Sequence, residues 1–136
     1  MGTWSVEPFG NDHAADWAYE LEEADDLTPI EAAIEAVLEV GEDYLEAPEG
    51  EIALAAIAVL ARLHGASAEH APISPSAEEW VKKIETSPDE ELRDKAVAAI
   101  DRILADESEL RDLWEESNEY EEWKSSVQQL RASVGA

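Results

Sequence analysis

Apolar residues recur every third or fourth position along almost the whole chain, and no stretch alternates apolar and polar residues as a half-buried strand would. The pattern predicts an all-α protein. A first helix is expected from Asn11 or Asp12, either of which can cap, to about Glu23, turning Ala15, Trp17, Ala18 and Leu21 inward. Thr28-Pro29-Ile30-Glu31 combines a Thr cap, a proline at the first helical position and a Glu three residues on, a capping box for a second helix. Its stripe is Ile30, Ala33, Ile34, Val37 and Leu38, continuing to Gly41, Tyr44 and Leu45. The third stretch, from Glu51 to His64, is apolar nearly all round and closes on Gly65, which places it at the centre of a bundle.

After a loop from Gly65 to Pro75, Ser76-x-x-Glu79 and Ser87-Pro88-Asp89-Glu90 read as two more capping boxes. The helices they open bury Trp80, Val81 and Ile84, then Leu92, Ala96, Ala99, Ile100, Ile103 and Leu104. A last helix is expected from about Glu107 toward Val134, with Leu110, Leu113, Trp114, Tyr120, Trp123, Val127 and Leu130 on one side and Asn118 as a point of interruption. The expected architecture is a single compact bundle of about six helices over residues 1–136, with the apolar third helix central. No repeat, low-complexity tract or linker divides it.

Composition sharpens this picture. A chain of 136 residues buries enough surface to fold without a disulfide or metal staple. The absence of cysteine removes thiolate catalysis, disulfides and Cys-based zinc sites. The N-terminus has neither the basic nor the apolar region of a secretion signal, and the longest apolar run, Ile52 to Leu63, falls short of the ~20 residues a bilayer requires. A soluble, cytoplasmic protein is expected. Thirty-four acids against nine bases give a net charge of −25, which disfavours nucleic acid and anionic membranes as direct ligands. Self-repulsion at that charge is on the order of 5 kcal/mol, comparable to a whole folding stability of about 5–15 kcal/mol.

The opening segment, Gly2-Thr3-Trp4, an aromatic-containing turn and Asn11-Asp12-His13-Ala14-Ala15-Asp16-Trp17, resembles the N-terminal signature of an uncharacterised bacterial family, domain of unknown function 4259. The match is carried by Thr3, Trp4, Phe9, Asn11, Asp12, Ala15, Asp16 and Trp17, while Ser5 and Glu7 stand where the family usually has glycine. The C-terminal LWEES and EYEEWKSSVQQLRA segments are similar to the family's closing helix, so the resemblance spans about Gly2 to Ala132. It implies a fold and brings no activity with it. In physical terms Trp4 and Phe9 are expected to fold back on the first turns, Asn11 to cap them, Asp12 to complement the helix end and Trp17 to enter the core.

Candidate chemistry is sparse. Three histidines are too few and too scattered for a zinc site, and no nucleophile elbow, zincin, P-loop or dinucleotide motif is present. No catalytic residue, metal or cofactor is assigned. A metal or ligand site on Asp12, His13 and Asp16 is the enzyme-like alternative, although His13 projects about 100° from the Asp12–Asp16 row. His64 is expected to cap a helix end. Any tryptophan left exposed would read as a binding anchor.

The distribution of charge carries more information. Sixteen acids and no lysine or arginine precede Arg62. Glu31, Glu35, Glu39 and Asp43 form one i,i+4 row of like charge, where a lysine at a middle position would be stabilising. The later half instead offers acid-first i,i+4 pairs: Glu78–Lys82, Glu79–Lys83, Asp89–Arg93, Glu91–Lys95 and Glu107–Arg111. Two readings follow. In one, Asp16, Glu20, Glu23, Glu31, Glu35, Glu39 and Asp43 form an acidic face for a basic partner, as in an inhibitor or immunity-like protein. In the other, the acidity is a coat suited to a salty cytoplasm, without a dedicated partner.

Overall fold

The computed structural model describes residues 9–84 and 86–135. Among them are seven helices and no strand: α1 (Asp12–Glu22), α2 (Thr28–Leu38), α3 (Ala47–Leu63), α4 (Pro75–Ile84), α5 (Glu90–Leu104), α6 (Glu109–Glu115) and α7 (Tyr120–Gly135). The seventh arises because the expected last helix is two. Residues 116–119 break it around Asn118, and Trp114 and Trp123 stack across the break, ring centroids 6.0 Å apart and planes 9° from parallel.

The all-round apolar segment is α3, and it touches each of the other six helices. Its continuous buried run from Ala53 to Ala61 contains five alanines, which keep the helix thin enough for neighbours to approach on every side. Ile57, Val59 and Leu60 fill the gaps, with Leu21, Ile30, Ile34, Ile100, Ile103 and Leu130 among the largest fully buried side chains around them.

Helix starts differ in detail from expectation. Asn11 caps α1, its Oδ1 accepting the Ala14 N–H at 2.7 Å. Thr28, by contrast, is already inside α2. Leu27 occupies the cap position with no side-chain bond, and Asp26 Oδ1 takes the Thr28 N–H at 3.0 Å. Helix α4 opens two residues earlier than a Ser76 cap would place it, with Ser74 Oγ accepting from Ala77 N at 3.3 Å and Pro75 first in the helix. Asp89 rather than Ser87 caps α5, accepting from Leu92 N at 2.8 Å. Helix α3 starts before Glu51 and takes in Pro48 and Gly50. Helix α2 stops at Leu38, and Gly41 (φ +60°) turns the chain in the left-handed region that glycine adopts readily.

Leu45, expected on the second helix, instead enters a short parallel bridge with Ser108. Its N–H donates to the Glu107 carbonyl and its carbonyl accepts from Glu109 N, both at 2.8 Å. Arg102, near the end of α5, clasps the two loops. Its guanidinium donates to the carbonyls of Gly41 (2.8 Å), Glu107 (3.1 Å), Asp106 (3.2 Å) and Asp43. The Glu109 carboxylate accepts the Ala47 N–H at 2.8 Å, so the first turn of α3 is capped from α6. Tyr44 donates its hydroxyl to Asp112 at 3.0 Å across the same junction.

Replacing this clasp tests its weight. Arg102→Met is expected to lower the unfolding free energy by about 2 kcal/mol, given ~1.5–3 kcal/mol for hydrogen bonds to a charged group. The measurement is a urea transition, which should shift to lower midpoint at unchanged slope. An unchanged midpoint would mean that the two loops hold without Arg102.

Candidate partner-binding face

Helix α1 is strongly two-sided. Ala14, Trp17, Ala18 and Leu21 are buried. Asp12, Asp16, Tyr19, Glu20, Glu22 and Glu23 are exposed. At 100° per residue, Asp12, Asp16, Tyr19 and Glu23 fall within about 60° of one another, with Glu20 at the edge. Tyr19 is 70% exposed, the most exposed large apolar side chain among the described residues. No described lysine or arginine forms an ion pair with an α1 carboxylate.

Helix α2 is different, and here the expectation of an uncompensated row is corrected. Lys95 of α5 reaches Glu35 at 2.9 Å instead of serving Glu91 one turn before it. The hydrogen bond from Glu35, then its charge, hold the Lys95 ammonium above its ordinary value, with Glu91 and Glu31 adding to the effect. Asp43 lies beyond Gly41, off the helix, where Arg102 binds its carbonyl. Glu31 and Glu39 remain exposed. The seven carboxylates therefore do not make one surface. Asp16 and Glu20 lie on α1 and Glu23 at its C-cap, while Glu31 and Glu35 line a separate polar groove with Asp89, Glu91 and Lys95.

Two of the later bases also take tertiary partners, and a third takes local ones. Arg62 pairs with Glu78 at 2.7 Å and Arg131 with Asp101 at 2.8 Å. Arg111 bonds Asp106 at 2.7 Å and approaches Glu115, not Glu107.

At the opening segment, Phe9 lies against Trp17 with ring centroids 6.4 Å apart. Trp4 lies outside the described residues. Asp12, His13 and Asp16 do not come together: His13 Nδ1 turns toward the buried Glu51 carboxylate at 3.4 Å. Among the described residues no three His, Asp or Glu side chains are placed to hold a metal ion. His64 stands at the C-cap of α3, and exposed His70 shares a shallow groove with it and α7. The four described tryptophans, Trp17, Trp80, Trp114 and Trp123, are all buried. Trp80 Nε1 donates to the Ala24 carbonyl at 3.0 Å and so ties α4 to the end of α1.

Tyr19 is the residue that sequence reasoning passed over. Its signal was available: it is three residues after Asp16 and four before Glu23, on the polar side of a helix whose other aromatic, Trp17, faces inward.

The fold and this face define an acidic, all-helical protein whose most distinctive surface is one side of a single helix. Its sequence matches the family described as Domain of unknown function (DUF4259) over residues 2–126, and the chain belongs to that family. No curated protein and no solved structure matches it. Among the described residues no helix is long and apolar enough to cross a membrane.

The contrast between positions 35 and 39 is measurable. Glu39→Lys is expected to stabilise the fold by a few tenths of a kcal/mol, placing a cation at the end of α2 and one turn after Glu35. Glu35→Lys is expected to lower the melting temperature, because it sets two ammonium groups against each other. The raised Lys95 value makes the Lys95–Glu35 contribution present at neutral pH and lost as pH rises through that value. Thermal melts at neutral pH with the same sign for both variants would contradict this account.

Proposed function

We propose that the protein is a non-enzymatic, cytoplasmic interaction protein that binds a basic protein through the exposed face of α1, in the manner of an inhibitor or immunity-like partner. The observation that carries this reading is Tyr19 standing exposed among Asp12, Asp16, Glu20 and Glu23, with no described lysine or arginine paired to them. An aromatic ring ringed by carboxylates suits lysine and arginine twice over, through charge and through the ring's negative face. Tyrosine is also among the residues that anchor interfaces. The net charge of −25 would draw a basic partner in and speed encounter. The fold compensates Glu35 with Lys95 yet pairs no described lysine or arginine with an α1 carboxylate, which supports α1 rather than α2 as the contact element.

The test is affinity capture with chemical cross-linking from native lysate, comparing wild type with Asp16→Lys/Glu20→Lys/Glu23→Lys and with Tyr19→Ala. The triple reversal is expected to abolish a basic partner. Tyr19→Ala is expected to weaken it by about 30-fold, the size of an interface hot spot, without lowering the melting temperature. The same captured set for all three proteins would overturn the reading. Salt separates it from a partnerless acidic coat. The melting temperature should rise with KCl and level off beyond ~0.2 M, where exposed charges are already screened. A steady climb into molar KCl would favour the coat.

A further inference from the structure

Beside the Tyr19 face, the end of α1 and the first turns of α2 border an open groove of about 580 Å³, which Ile52 of α3 also lines. Its walls are apolar: Trp17, Ala24, Pro29, Ala32 and Ala33. Three carboxylates, Glu20, Glu23 and Asp26, line it as well, and all three residues are exposed. We infer that this groove receives an arginine side chain of the basic partner, the apolar walls taking its stem and the carboxylates its guanidinium. The inference rests on the proposed binding of a basic protein and names the anchor.

Three features select that occupant. A wholly apolar group would strip water from the carboxylates and leave them uncompensated. A compact, strongly hydrated cation would gain nothing from the walls. Arginine combines a long apolar stem with a flat, weakly hydrated cation that stacks on aromatic faces and forks onto carboxylates. Asp26 remains ionised for the purpose, since the Thr28 hydroxyl and N–H both hold its carboxyl below the usual range. The groove stays open because Ala24, Ala32 and Ala33 are small; a ring at the exposed position 32 would fill it.

The probe is an amidated peptide alternating three arginines with three glycines, set against its lysine counterpart. Each is titrated into ¹⁵N-labelled full-length protein at ~50 mM salt, where screening is weak. The arginine peptide is expected to shift the amides of Ala24, Thr28, Ala32, Ala33 and Ile52 and to bind more tightly than the lysine peptide. Ala32→Phe, and separately Glu20→Gln/Glu23→Gln, are each expected to weaken it by about tenfold, the scale of losing one anchoring contact. A melt of each variant checks that it is folded. Shifts confined to Asp12–Glu20, unaltered by Ala32→Phe, would overturn the groove while leaving the acidic face standing. Equal binding of the two peptides would overturn the choice of arginine. No binding of either peptide would overturn both the groove and the reading it rests on.

Discussion

The structure depends on burying one helix from every direction. A helix enclosed on all sides has no face left for a polar side chain, and its neighbours must come close without a large group between the axes. The alanines of α3 meet both demands. Most of the charge is then driven to the surrounding helices and loops, and most of the chain's 34 carboxylates must be spread over that one shell. The one buried acid of α3, Glu51, sits just past its first turn, where His13 approaches it at 3.4 Å. The polar ends of so buried a helix need partners too. The N-terminal end finds one in Glu109 of α6.

Periodicity made the helices and their inner faces legible, because burial leaves a mark every third or fourth residue. The buried set of α5, namely Leu92, Ala96, Ala99, Ile100 and Ile103, could be read directly. Which residue begins a helix was harder. Thr28, Ser76 and Ser87 each fit a capping box, and each has a rival within two residues: Asp26, Ser74 and Asp89. The choice among them is made by where the chain enters the bundle, which local spacing does not contain. The break before α7 was marked by Asn118, although the stacking of Trp114 on Trp123 keeps the apolar stripe in line across it.

The charged surface was legible in amount and not in arrangement. An i,i+4 rule assigns Lys95 to Glu91, whereas the packing of α5 on α2 brings it to Glu35, and Arg62 and Arg131 likewise bond across elements. Of the acidic surface read from the sequence, Glu35 is therefore paired by tertiary structure and Asp43 is carried off the helix, while the α1 carboxylates keep their exposure. No described lysine or arginine forms an ion pair with an α1 carboxylate. The groove beside it is built from three helices and has no linear signature at all.

The clasp at Arg102 and the cap at Glu109 also constrain when the molecule can form. Ala47 lies 62 residues before Glu109, and Gly41 lies 61 before Arg102. Chain ends joined over such separations are closed late, since the entropy of the loop is lost before the contact is gained. A nascent chain leaving the ribosome thus carries the start of its central helix unfinished until α6 has been synthesised. The N-terminal half, apolar at its heart and strongly acidic outside, spends that interval kept apart from its copies by its own charge.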